Sequence, residues 1–249
     1  MLFALEFPPV SHLLVWPEII FGLNKVGLIH VVATLITLTL VFLAVRKSEL
    51  VPKGVQNVME SAVEFIENSV IAQTIGPDGL RYLPFLFTIF FFVLFSNIFE
   101  VIPGIQFPGN ARMAMPIFLA LVVWCVFNFI GLKHQGPRYF LNVMFPPGVP
   151  GALKPLVALI ELVSTFLVRP FSLAVRLFAN MLAGHLLLVT FGVLAAALWS
   201  KSVMLVIMPL PFVVLIGLTA FEVLVAFLQA FIFTILTAVY IGGALHHEH

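Results

Sequence analysis

Charge is scarce in this chain. Asp, Glu, Lys and Arg make up 9% of its 249 residues, against about 25% in soluble domains. With 62% hydrophobic residues and a mean hydropathy of +1.17, that deficit excludes a soluble globular domain and defines a polytopic membrane protein. A net charge of +1, without any dense Lys/Arg cluster, leaves nucleic acid no place as a partner. A lone cysteine, Cys125, rules out an intramolecular disulfide framework; set in an apolar run, it reads as a small buried hydrophobe. HExxH, GxSxG and paired intramembrane aspartates are all missing, so intramembrane hydrolysis is not indicated. The first residues carry Glu6 and Glu18 and lack the basic region of a signal peptide.

Long apolar runs are what the chain does have. Val26 to Val45, flanked by Lys25 and by Arg46 and Lys47, is long enough to cross a hydrocarbon core of about 30 Å. Tyr82 to Ile102, rich in Phe and containing Glu100, and Met113 to Leu132, ending before Lys133, form a second and a third span. Between the first two, residues 51–72 set Val55, Val58, Met59, Ala62 and Ile66 on one helical face and Glu60, Glu64 and Glu67 on the other. That periodicity predicts an amphipathic helix lying at the interface. From His134 to Pro155 the density of Gly and Pro predicts a loop.

Two longer apolar stretches follow, 155–199 and 203–245, divided by Ser200, Lys201 and Ser202. Trimmed at Pro170 and after Pro211, each still exceeds about 40 Å of helix. They are expected to form a long, strongly tilted hairpin. The predicted fold is therefore an all-α polytopic membrane protein with five embedded helices and one interfacial helix. Its parts are an external segment 1–25, three spans within 26–154, the hairpin 155–245 and a cytoplasmic tail 246–249. Orientation comes from the basic residues: Arg46, Lys47, Lys53 and Arg81 lie in one loop and Lys133, Arg138 and Lys154 in another, which predicts cytoplasmic loops there, the N-terminus outside and the C-terminus inside.

Between Arg169 and Lys201 the one formal charge is Arg176. A guanidinium stays protonated, and its insertion at a bilayer centre costs from roughly 3 to more than 10 kcal/mol. Arg169, Ser172, Arg176, Asn180 and Ala183 share one stripe, which must face protein or water. Glu161 lies fifteen residues before Arg176, near the same face. On the second arm Glu222 and Gln229 share a face. A turn just after Lys201 opposes His185 to Glu222 and Arg176 to Gln229. The first pair can exchange protons near neutral pH; Arg176 can only attract or repel, and Asn180 and Gln229 can orient it by neutral hydrogen bonds. Arg169 is expected to reach an interface, and Glu100, Arg112, His12 and His30 to be solvated groups at span ends. His246, His247 and His249 read as a solvated tail, and neither metal nor cofactor is expected.

The strings from Pro170 to His185 (PFSLAVRLFANMLAGH) and from Leu228 to Thr237 (LQAFIFTILT) resemble subunit a of the membrane sector of F-type ATP synthases. The likeness covers about residues 155–245, with Ala179 where a glycine is common. It implies a stator subunit, not an enzyme by itself and without a nucleotide site, in a bacterial plasma membrane. Its partners would be the c-ring, the peripheral stalk subunit b, other synthase subunits and lipid. Arg176 would face the ring, beside Asn180, Gln229 and Ser172. Glu222 and His185 would line the path by which protons arrive, and Glu161 and Arg169 are candidates for the path by which they leave. The rival reading is a proton-coupled secondary transporter, which would need repeated halves with broken helices; residues 26–133 show no match to the hairpin. A haem subunit would need opposed axial ligands, and only His30 and His185 lie within spans.

Overall fold

A computed structural model of the chain describes residues 24–46, 54–102, 105, 109–145, 150, 153–198 and 209–245. The expectations for the external segment 1–23, for the turn around Lys201 and for the tail 246–249 lie outside them. Within the described residues all regular structure is helical.

Helix α1 spans Lys25–Arg46. Helix α2, Val55–Ile66, continues through a π turn at Glu67–Ile71 and a last turn at Ala72–Thr74. A 3-10 stretch, Pro77–Tyr82, leads into α3, Leu83–Ile98. Helix α4, Ala114–Gln135, ends at Gly136 with φ 65°, a left-handed conformation that glycine adopts without steric cost. A short helix α5, Arg138–Met144, follows. Helix α6, Lys154–Val163, passes through a π turn, Ser164–Val168, into α7, Arg169–Leu198. The last helix, α8, is Pro209–Leu245. Five segments, Lys25–Leu43, Pro77–Ile98, Ala114–Gln135, Lys154–Leu198 and Pro209–Leu245, are long and apolar enough to cross a membrane.

Four expectations change. The Gly/Pro-rich stretch between the third and fourth spans contains α5, because its breakers sit at the helix ends: Gly136 and Pro137 before it, Pro146 and Pro147 after. Pro170 does not stop the helix. The π turn directly before it loosens the ladder where proline removes a donor and crowds the preceding turn. Pro209 and Pro211 fall in the first turn of α8, where their missing N–H groups would have lacked a partner in any case. Cys125 is exposed, on the face of α4 turned away from the core.

The core runs along α3, α4, α7 and α8. Val93, Phe90, Phe127, Leu173, Leu177, Phe233 and Ile241 are buried in it. Helix α2 closes one end: its Phe65 ring lies 5.8–5.9 Å from those of Phe90, Phe227 and Phe231. Met59, Ile66 and Val70 face inward and Glu60 and Glu64 outward, as the periodicity predicts, although Val58 is exposed. Two buried hydroxyls of α8 are satisfied within the helix, Thr234 donating to the Ala230 carbonyl and Thr237 to that of Phe233, both at 2.8 Å. At the end of α8, Gln135 donates to the Ala244 carbonyl at 3.0 Å, supplying a partner that a helix terminus lacks.

Where α8 meets the turn after α2, Gly242 admits no side chain, since a Cβ there would stand 2.9 Å from the Thr74 carbonyl oxygen. Gly242→Val is expected to lower thermal stability in detergent by about 1–3 kcal/mol through overpacking. Gly243→Val, where a Cβ meets nothing within 4 Å, should leave the melting temperature within a degree or two of wild type.

Candidate proton path in the hairpin

Helices α7 and α8 lie side by side, and small residues are buried on both. Ala174, Gly184, Ala226, Ala230 and Ala238 are all buried, which lets two backbones approach where lipid offers no hydrophobic drive to associate. The inward side of α7 carries Leu173, Leu177 and Met181. The polar stripe consequently turns outward: Arg169, Ser172 and Arg176 are half-buried, Asn180 and Ala183 exposed.

The hairpin register is close to the expected one, with partners displaced along it. Asn180 Nδ2 donates to Gln229 Oε1 at 2.7 Å, so the amide opposite Gln229 belongs to Asn180 and not to Arg176. Such a bond contributes only about 0.6 kcal/mol between membrane helices; its effect is on orientation. Among the described residues nothing gives Arg176 a hydrogen bond or an ion pair. The Glu222 carboxylate rests on Gly184: a Cβ at that glycine would lie 2.5 Å from Oε1 and 2.6 Å from Oε2.

His185 meets a carboxylate that sequence reading had placed in solvent. Its Nδ1 stands 3.7 Å from Glu100 Oε1, and Glu100, just past the end of α3, is 2% exposed. Glu222, 4% exposed, is within electrostatic reach of Glu100. The predicted pair of His185 and Glu222 is thus a group of three, in which Glu100 takes the place beside the imidazole. His30 is also drawn inward, hydrogen-bonded to the fold and stacked on Phe92 at 6.1 Å. The available signal was spacing: Asn97 and Glu100 are one turn apart at the end of an apolar span, and two polar groups on one face there point toward protein.

Two cavities flank this group. One, of about 300 Å³, is lined by Glu100, His185, Val189, Gly192, Leu215 and Thr219. The other, of about 350 Å³, is lined by Asn180, Ala183, Gly184, Glu222, Leu228 and Gln229. Gly184 and His185 are neighbours in the wall between them. Both volumes admit several waters.

Arg169 does not extend freely. Its guanidinium carbon lies 5.3 Å over the ring of Tyr240, a cation–π arrangement. Glu161, half-buried on α6, lines neither cavity, and Ser172 sits one turn from Arg176 on the outward stripe. Among the described residues no group of three His, Cys, Asp or Glu side chains could hold a metal ion.

A helical membrane protein that carries on one face a guanidinium with no counter-ion among the described residues, and a buried group of two carboxylates and an imidazole lining two cavities that each admit several waters, belongs to the class that moves protons. The profile of the ATP synthase A chain family matches residues 27–242. ATP synthase subunit a of Frankia alni is 44% identical over 237 residues, covering 91% of this chain and 79% of the relative. The subunit a proteins of Rhodococcus erythropolis and of a Methylobacterium species are each 40% identical, the first over 97% of this chain and 88% of its own length, the second over 93% and 90%. The chain belongs to the ATP synthase A chain family.

Gly184→Ala is expected to displace the Glu222 carboxylate and to lower proton conductance of the reconstituted complex by roughly 10- to 100-fold, the scale of an ångström misplacement. The atoms such a Cβ meets are the mobile end of the Glu222 side chain, so the melting temperature should stay near wild type, and measuring it separates a moved carboxylate from lost packing. Gly217→Ala, which meets nothing within 4 Å, is the control; equal conductance in both variants would refute the role given to the Gly184 contact.

Proposed function

We propose that this chain is the stator subunit of a rotary ATP synthase, offering two offset proton half-channels to a ring of c subunits and so coupling proton flow to ring rotation and ATP synthesis. It would lie in a bacterial plasma membrane with its N-terminus outside and its C-terminus in the cytoplasm, beside the peripheral stalk subunit b. The observation that carries this reading is Arg176: a permanent charge on an outward stripe, with no counter-ion among the described residues of its own chain. Its counter-ion is then a carboxylate on the ring, which arrives and departs.

Protons reach the cavity lined by Glu100 and His185 from outside. They pass to Glu222 across the wall at Gly184, and from the cavity bounded by Asn180 and Gln229 they load a ring carboxylate. Once neutral, that carboxyl group can turn into lipid. After nearly a full turn the ring carboxyl meets the second half-channel, loses its proton toward the cytoplasm and is drawn to the guanidinium as an anion. Ser172, Arg169 and Glu161 belong to that second side. The fixed charge of Arg176 between the channels repels a proton from crossing directly. The chain itself performs no covalent chemistry. Asn180, held by Gln229, keeps a neutral amide next to the guanidinium, where a carboxylate would have neutralised it.

Arg176→Ala, in vesicles with an assembled ring, is expected to abolish ATP-driven proton pumping; coupled pumping at wild-type rates would overturn the mechanism. Glu100→Leu and Glu222→Leu should each slow proton uptake by roughly 100-fold or more, the scale of a positioned proton-transfer group. Unchanged flux in either variant, read by a pH-sensitive dye, would remove that carboxylate from the path.

A further inference from the structure

A second set of polar side chains, on α1 and the residues around the end of α3, leads toward Glu100. His30 Nδ1 lies 2.9 Å from the Val26 carbonyl oxygen, which can only accept, so Nδ1 carries a proton. Its other nitrogen, Nε2, lies 3.4 Å from Asn110 Oδ1. Asn110, with no exposed surface, donates through Nδ2 to Asn97 Oδ1 at 2.7 Å. Gly109 makes the approach possible, since a Cβ there would stand 3.1 Å from the Ser96 carbonyl oxygen and 3.3 Å from His30 Nε2.

The far end of the chain is incomplete in a complementary way. Asn97 Nδ2 is a buried donor and Glu100 Oε1 a buried acceptor, and neither has a hydrogen-bond partner among the described residues. They are one helical turn apart, the Glu100 amide donating to the Asn97 carbonyl at 3.1 Å. Joining them requires side-chain rotation.

A chain of two amides has a direction. With Nδ1 and Nε2 both protonated, His30 donates to Asn110, Asn110 to Asn97, and the free end presents an N–H, which suits an ionised Glu100. With Nε2 bare, both amides must turn over so that Asn110 donates to the imidazole and Asn97 to Asn110. The free end is then a carbonyl oxygen, which suits a protonated Glu100. Amide nitrogen and oxygen occupy nearly equivalent positions, so the reversal leaves the heavy-atom framework in place.

We propose that His30, through Asn110 and Asn97, shares one proton with Glu100, and that this sharing widens the range of outer pH over which the proton inlet stays half-loaded. No proton passes through the amides. Each end exchanges its own with water, and a proton bound at one end favours release at the other. Asn97 and Asn110 are positioning residues. The other ionisable groups around the chain are Lys25 on the same helix as His30, Arg112 two residues beyond Asn110, and His185 and Glu222 on the far side of Glu100. Glu60 and Glu64 of α2 belong to the opposite end of α1. His185 touches Glu100 from its own cavity, so it can exchange with Glu100 whichever way the amides point.

The inference rests on reading the cavity at Glu100 as the proton inlet, and the test separates the two. In the complex assembled in vesicles, the infrared band of the protonated Glu100 carboxyl, identified by its loss in Glu100→Gln, is titrated with pH. In wild type it should titrate in two steps, broader than a one-proton curve by at least about 1 pH unit, as for strongly coupled sites. In His30→Gln, which keeps a polar side chain but cannot titrate, and in Asn110→Leu, which cuts the link, it should narrow by at least about 1 pH unit, keeping only the coupling of Glu100 to His185 and Glu222. Proton conduction through the ring should vary less than about threefold between outer pH 6 and 8 in wild type and at least about tenfold in the variants, as for a single titrating group. A wild-type curve that coincides with that of His30→Gln, whatever its width, overturns the sharing, whether or not Asn110→Leu assembles. If the inlet reading itself fails, Glu100→Leu conducts normally, an outcome the titration does not touch.

Discussion

A guanidinium cannot shed its charge, and that of Arg176 is held on an apolar helix without a counter-ion from its own described residues. Much of the hairpin is arranged to keep it so. Leu173, Leu177 and Met181 bind the opposite face of α7 into the core, which prevents the helix from rolling the charge inward. The two carboxylates that could neutralise it are engaged elsewhere, Glu100 against His185 and Glu222 on Gly184. A permanent buried ion pair would be hard to break, since stripping one partner from such a pair costs about 3–5 kcal/mol. A transient partner requires that the charge be left open.

Backbone proximity is what permits the second half of that arrangement. Small residues bring α7 and α8 together, and the missing side chain at Gly184 lets a carboxylate from one helix lie against the backbone of the other. The weak amide bond between Asn180 and Gln229 then sets the register. Helix α8 is held at two levels: Phe65 and its aromatic neighbours pack against its middle, and Gln135 and Gly242 secure its last turns. Glu100, His185 and Glu222 are buried by packing that is ordinary in kind, whereas the stripe of α7 faces outward.

The hairpin residues were legible in the chain because a period of 3.6 places Arg169, Ser172, Arg176 and Asn180 on one stripe whatever surrounds them. Antiparallel pairing then located Glu222 within a residue of its observed neighbour. Glu100 and His30 were not legible. An acid or imidazole near the end of a span ordinarily faces water, and only the packing of α1 and of the residues just after α3 turns these two inward. The helix Arg138–Met144 was hidden for a different reason: its breakers lie at its ends, and composition averaged over the segment cannot tell a bounded helix from a loop.

Local rules act on neighbours along the chain, so the sequence by itself determined the number of spans, the amphipathic helix, the outward stripe with its unpaired charge, and the family likeness in two motifs. What depends on residues far apart was decided by the tertiary structure alone: that Asn180, not Arg176, holds Gln229; that Glu100 lies at His185; that Glu222 rests on Gly184; and that His30, Asn110 and Asn97 form one file. The reason is physical. Helical periodicity fixes an angle around one axis to within a few tens of degrees, whereas a hydrogen bond or ion pair between helices depends on translation and rotation of two axes to within an ångström, and those are set by the packing of every side chain between them.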